Sequence, residues 1–241
     1  MKLVRENSLE KKLVRENSLE KKLVKTDNDT KWRITMDTQK LVALTFDDGP
    51  TNITEKILDI LEEKKVLATF FLIGQNIVPE KKATMERELA LGCEIANHSY
   101  THSDMSQMDA ETIRKEIGDT TALIKEMVNV DPKFFRPPYL AMSDTMFDNI
   151  DLPFITGKDS KDWDASTTTQ DRINTVLDFV TDGTLVLMHD FFGNEKTVEA
   201  LPVIIDKLRE DGYEFVTASQ IFERKGIDPK VPHKAWYNVF E

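Results

Sequence analysis

Leu41-Val42-Ala43-Leu44-Thr45-Phe46-Asp47-Asp48-Gly49-Pro50 passes from an apolar run to two adjacent carboxylates and a turn. A short apolar run closed by Gly-Pro reads as a buried strand. Behind it, Ile53, Ile57, Leu58, Ile60 and Leu61 recur at helical spacing, which predicts a helix over 53–64. The order strand, polar fragment, helix then repeats. Strands are predicted at 66–73, 93–96, 133–135, 154–156, 184–188 and 213–217. A helix is predicted over 79–91, with Pro79 in its first turn and Gly92 just past its end. Another runs over 109–128 with Asp109 as N-cap, and two more over 170–180 and 197–210, the last ended by Gly212. Alternating strands and helices predict a parallel α/β fold. Asp47, His98, Arg136, Asp162 and His189 all fall at or just after the C-terminal ends of different strands. Polar residues contributed by many strand ends to one face predict a TIM-like (β/α) barrel. The units fall short of eight.

The polar fragments carry the chemistry. The chain has 4 histidines, and three lie in His98-Ser99-Tyr100-Thr101-His102 and Leu187-Met188-His189-Asp190. Spacing of four puts His98 and His102 on one side of a helix or tight turn. Imidazoles with a carboxylate form the ligand set of a zinc-type site. A further carboxylate and a separate histidine are what hydrolysis needs as base and acid. The chain therefore reads as a metal-dependent hydrolase. Arg136-Pro137-Pro138-Tyr139 is a stiff segment, because each proline fixes its φ.

Composition narrows the class. A length of 241 residues with 40% hydrophobic content can bury a large core. Net charge is −11, from 43 acids and 32 bases. An acidic chain without a basic cluster argues against nucleic-acid binding, whereas a neutral polysaccharide would not be repelled. No apolar run is long enough for a membrane span. The charged N-terminus does not read as a signal peptide. Cys93, the single cysteine, reads as a buried structural thiol. Residues 2–11 (KLVRENSLEK) recur unchanged as 12–21, and a ten-residue period fits no coiled coil. This stretch reads as a recent duplication or an added segment, dispensable for the fold. The expected organisation is an N-terminal extension over 1–39, a catalytic domain over 40–225 and a tail over 226–241. In the tail, His233 reads as solvated, and Trp236, Tyr237 and Phe240 as docking on the barrel.

TFDDGP, HSYTH, RPPY, Asp159-Ser160-Lys161-Asp162-Trp163 and LMHD, in this order, resemble the five motifs of the polysaccharide deacetylases, carbohydrate esterase family 4 with its NodB homology domain. The likeness runs from about Leu41 to about Phe222. It implies a distorted, incomplete (β/α) barrel that removes acetyl groups from a polysaccharide. It implies that Asp48, His98 and His102 hold a divalent metal, zinc by default with cobalt or manganese as alternatives. Asp47 would be the base that activates a water held by the ion, and His189 the acid that protonates the leaving group. Arg136 would orient Asp47, and Asp162 would tune His189. The Tyr139 backbone N–H would hold the oxyanion, with Pro138, Trp163 and Leu187 around the substrate. Two departures stand out: Leu140 occupies a position where the family usually has glycine, and Gly157-Lys158 precede Asp159 where apolar residues are usual.

The substrate would be N-acetylglucosamine polymers, as in peptidoglycan or chitin, or O-acetylated xylan. Similarity of 147–155 and 193–201 to clostridial-type members leans toward xylan. The natural parent would act outside the cell or at the cell wall, as a monomer. Two other classes remain: a carbohydrate-binding domain with a dead site, and a metal-dependent amidohydrolase acting on a small molecule or peptide.

Overall fold

The structure, a computed structural model, describes residues 22–25, 32–35 and 39–240. The duplicated stretch 2–21 lies outside the described residues. Strands β1 (Lys22–Lys25) and β2 (Trp32–Thr35) pair antiparallel with each other, separate from the main sheet.

The main sheet is built on β3 (Lys40–Gly49). Around it stand β4 (Ala68–Leu72), β5 (Glu94–Asn97), β7 (Lys158–Asp159) and β8 (Thr184–His189), in the order β5-β4-β3-β8-β7. A further strand, β9 (Tyr213–Phe215), pairs with Lys40–Val42 of β3. Every pairing in this sheet is parallel. Parallel neighbours need helical crossovers, and the predicted helices supply them. They are α1 (Asn52–Lys64), α2 (Lys82–Ala90), α3 (Ala110–Val128), α5 (Thr169–Phe179) and α6 (Glu195–Glu210). Two short helices, α4 (Asp144–Asn149) and α7 (Ala218–Lys225), were not predicted. The predicted helix 79–91 begins as a separate 3-10 turn, Pro79–Lys81.

The sheet curls toward closure through single bridges. Asn97 pairs with Phe135, and Phe135 with Phe154 of β6 (Phe154–Ile155). From β6 the chain reaches β7, which returns to β8 and so to β3. The predicted strand 133–135 is reduced to Phe135, which bridges a neighbour on each side. Pro132, Pro137 and Pro138 flank it and lack the N–H a longer ladder needs. The result is a distorted, incomplete barrel. The tail completes its wall: β10 (Ala235–Trp236) lies parallel to β6. Leu185 N donates to Tyr237 O and Val239 N to Gly183 O. Of the aromatic tail, Trp236 is buried as docking requires, whereas Tyr237 and Phe240 stay exposed because their rings lie outside the wall that the tail backbone completes. The His233 side chain is 50% exposed, tilted against the Phe147 ring at 5.2 Å and within 3.4 Å of Asp144 and Asp148, so it is not fully solvated.

Strand parity sorts the core. Successive side chains on a strand point to opposite faces. Val42, Leu44, Phe46, Phe70, Leu72, Val186 and Met188 face the helices and pack with Ile53, Ile57, Leu201 and Ile205. Leu41, Ala43, Phe71, Ala96, Ile155 and Leu185 face the barrel interior. Each fully buried Leu or Phe contributes roughly 1.5–3 kcal/mol relative to exposure. Continuing the interior face of β3 past Leu41 and Ala43 brings Thr45 and then Asp47. On β8, Leu185 is followed by Leu187 and His189. The same alternation that fills the lower barrel with hydrocarbon thus delivers polar groups to its upper end. Cys93 is buried, and burial pushes its thiol up to about 11, which leaves no thiolate for chemistry.

Candidate active site

Adjacent residues on a regular strand diverge, yet Asp47 and Asp48 reach the same cleft. The ladder between β3 and β4 explains it. Pairing steps from Asp47↔Phe71 to Gly49↔Leu72, so Asp48 is the extra residue of a bulge. Its φ of 79° swings the side chain out of strand alternation. Asn76 Nδ2 holds the turn by donating to Asp48 O at 2.7 Å.

His98 follows β5 directly, and the chain to His102 is a tight turn rather than a helix, with Ser99 at φ 65° and His102 at φ 58°. His98 Nδ1 lies 2.7 Å from the carbonyl oxygen of Arg136. A carbonyl can only accept, so Nδ1 carries the proton and Nε2 faces the cleft. His98 Nε2 is 3.5 Å and His102 Nε2 3.3 Å from Asp48 Oδ1. One ligand atom from each of the three residues lies within 4.8 Å of the others, the one such group among the described residues. Asp48 Oδ1 is buried without a hydrogen-bond partner. A buried carboxylate oxygen left unbonded between two imidazole nitrogens fits a divalent cation. Burial acts to raise the Asp48 carboxyl, but His98, then His189 and His102, outweigh it and hold it below its ordinary value. Burial acts to lower His98, yet Asp47 and Asp48 raise it on balance. His102 is lowered, by burial first and then by His98.

Arg136 is fully buried, which a guanidinium tolerates only when its donors are used. Nη1 donates to Asp47 Oδ1 at 2.5 Å, Nη2 to Thr45 Oγ1 at 2.8 Å and Nε to Ile155 O at 3.0 Å. Its plane stacks 4.1 Å from the Phe71 ring centre. Asp47 Oδ2, the other oxygen, is 3.7 Å from His98 Nε2. No space remains beside this cluster: a Cβ on Gly157 would lie 3.0 Å from Arg136 Nη2.

On the opposite wall, His189 Nδ1 is 2.6 Å from Asp162 Oδ1. Asp162 Oδ2 accepts from His189 N, Thr197 Oγ1 and Asn194 Nδ2. Burial acts against the imidazolium, but the bond and charge of Asp162 push His189 up to about 9. Burial likewise acts to raise Asp162, and His189 with Thr197 lowers it on balance. The two walls share one ladder, since Asp47 and His189 are paired residues of β3 and β8.

The polysaccharide deacetylase family profile matches residues 35–151. The Xyl-CE4 domain of a multidomain xylanase from the hindgut metagenome of Trinervitermes trinervoides is 52% identical, with a TM-score of 0.83 over 84% of this chain and 98% of that one. This chain belongs to the polysaccharide deacetylase family. A family 4 acetyl xylan esterase from Clostridium thermocellum, solved in complex with a cobalt ion, is 44% identical, with a TM-score of 0.81 over 84% of this chain and 100% of that one. A curated bifunctional xylanase/deacetylase of Pseudobutyrivibrio xylanivorans is 52% identical over 201 residues, 83% of this chain and 33% of the relative. This chain thus spans about a third of that relative's length. Peptidoglycan deacetylases of Listeria and Bacillus match at lower identity.

Around the centre of this polysaccharide deacetylase domain, Pro138 is buried, Leu187 lines the wall between β7 and β3, and Tyr139 is 70% exposed with its ring 4.9 Å from that of His102. Trp163 is 57% exposed, and its Nε1 donates to Asp159 Oδ2 at 3.0 Å, which gives Asp159 a structural use. Leu140 has φ 55°, a region that favours glycine, so the family's usual residue there has a backbone reason. Sequence reasoning gave Asp190 no task. It is fully buried: its carboxylate accepts from Thr54 Oγ1, its carbonyl from Thr51 Oγ1 at 2.5 Å, and its N–H donates to Asp47 O at 2.9 Å. Burial pushes it up to about 8. It presses against Gly49, where a Cβ would collide with its carboxylate, and so braces the turn carrying both cleft aspartates. The signal was present in the sequence, as an acid directly after a histidine at a strand end.

Proposed function

We propose that this domain removes acetyl groups from polysaccharide in a metal-dependent hydrolysis, with O-acetylated xylan as substrate. One observation carries the reading: a three-donor cradle lies between two buried aspartates equipped for opposite proton roles. A divalent ion held by Asp48 Oδ1, His98 Nε2 and His102 Nε2, zinc by default, supplies Lewis acidity and makes water a nucleophile near neutral pH.

Asp47 is the base in this reading. Arg136 occupies its Oδ1, so Oδ2 is the oxygen left to take a proton from water. Hydroxide adds to the acetyl carbon, and the Tyr139 N–H steadies the oxyanion, a contact of about 3–4 kcal/mol in comparable sites. The bond between the acetyl carbon and the sugar oxygen then breaks. His189 gives its Nε2 proton to that oxygen, leaving acetate and a free hydroxyl. Asp162 holds Nδ1, so the proton to be transferred sits on the nitrogen facing the cleft. Leu187 offers an apolar surface to the acetyl methyl, and Pro138, Tyr139 and Trp163 border the sugar. A polymer too large to enter a cell would be met outside it or at the cell wall.

Xylan is favoured over N-acetylglucosamine polymers because the 52% and 44% identical relatives carry xylan-directed descriptions, while the peptidoglycan deacetylases are more distant. The test is acetate release from acetylxylan, chitooligosaccharides and peptidoglycan, with chelator and after adding Zn2+ or Co2+. Release from acetylxylan that chelator abolishes and metal restores is expected. Release from peptidoglycan alone would reassign the substrate, and chelator-resistant release would remove the metal.

A further inference from the structure

The two cradle imidazoles are held differently. His98 has its ring fixed by the Arg136 carbonyl. Among the described residues, the His102 ring meets only Asp48 and the rings of His98 and Tyr139. Its position therefore depends on the backbone that delivers it, and the side chain that takes most of that backbone's donors is Glu116. Glu116, on α3, reaches under the turn. Its Oε2 accepts from Tyr100 N at 2.9 Å and Thr101 N at 2.8 Å, and its Oε1 from Thr101 Oγ1 at 3.0 Å. A single buried carboxylate thus takes two peptide N–H groups and one hydroxyl from the turn between His98 and His102. Ser99 Oγ then accepts from His102 N at 3.1 Å. Gly74 N and Gln75 N donate to Ser99 O and Tyr100 O, closing the outer edge of the turn. Glu116 lies with Ile113, Thr120 and Ile124 on the buried stripe of α3. A carboxylate in such a stripe is costly unless its bonds are used.

We infer that Glu116 is a positioning residue that sets the separation of the His98 and His102 imidazoles, and through it the metal affinity of the cradle. This rests on the reading that Asp48, His98 and His102 hold a divalent ion. Supports one layer behind metal ligands are typically worth 10–100-fold in affinity. Hydrogen bonds, rather than the charge, carry the effect. A glutamine can offer its amide oxygen to the two N–H groups and its NH2 to Thr101 Oγ1.

The test is Co2+ binding to the full chain stripped of metal, followed by the visible absorption of the bound ion, with the melting temperature of the metal-free protein in parallel. Glu116→Ala should raise the Co2+ Kd by roughly 10–100-fold and shift the absorption band, while Glu116→Gln stays within about threefold. If Glu116→Ala does not fold, Glu116→Asp, which withdraws the carboxylate by one methylene, should show the same loss. Variants that melt lower yet bind Co2+ with wild-type Kd and spectrum would make Glu116 merely structural and overturn the inference alone. Wild-type protein that binds no Co2+ would overturn both this inference and the cradle reading.

Discussion

Asp47 and Asp162 are both buried aspartates bonded to a basic side chain, and the proposed reaction gives them opposite work. Arg136 takes one oxygen of Asp47 and leaves the other toward the cradle. Asp162 uses both of its oxygens, one on the His189 ring and one on three further donors. The partner decides the outcome. A guanidinium cannot give up its proton at working pH, so it can only orient a carboxylate. An imidazole can, so a carboxylate behind it turns the histidine into a proton store. Two like residues set apart by their neighbours is the general pattern of acid–base pairs.

The comparison depends on the cradle between the two walls, so its loss is the largest expected effect. His98→Ala and His102→Ala should each lose bound metal and reduce acetate release by roughly 100-fold or more. Elemental analysis beside the activity assay checks this, and wild-type metal content in both variants would move the site elsewhere. Next comes the base wall. Asp47→Asn should reduce turnover by roughly 10²–10⁴-fold while metal content stays near wild type.

The acid wall can be read by pH. Asp162→Asn removes the main support of the His189 imidazolium. In metal-free protein its titration, followed by ring NMR signals, should fall from about 9 toward the ordinary 6.5. A raised histidine pKa adds stability that is complete below about 6.5 and is lost as pH rises through about 9. The gap in melting temperature between wild type and Asp162→Asn should therefore close between those values. A gap that widens there would reverse the assignment of charge. The smallest effect lies outside both pairs. Leu140→Gly relieves a left-handed residue and should stabilise by about 0.5–1 kcal/mol, less what its packing loses, measured by urea unfolding.

How much of this was legible follows from which signals are local. The apolar run 41–46 and the helical spacing of 53–64 gave β3 and α1 within a few residues, because period and burial agree there. Asp109 caps α3, since a side chain accepting from Thr112 N is a local contact. The 133–135 strand overreached because neighbouring prolines cut its ladder, which composition alone does not reveal. The convergence of Asp47 and Asp48 depends on a bulge set by pairing with β4, a long-range fact. Asp190 and Glu116 escaped for the same reason: their partners lie 136 and about 15 residues away. Family motifs marked the residues that face the cleft together with Arg136 and Asp162 directly behind them; Asp190 and Glu116, which brace the turns, emerged only from packing.

The division of proton work is tested most directly by comparing two leaving groups in two variants. Turnover of Asp47→Asn and His189→Ala is measured on acetylxylan and on an activated aryl acetate, whose phenolate leaves without a proton. Asp47→Asn should lose roughly 10²–10⁴-fold on both, because water must be activated in either case. His189→Ala should lose as much on acetylxylan and be within about tenfold of wild type on the aryl acetate. Equal losses of His189→Ala on both substrates would contradict its role as the leaving-group acid.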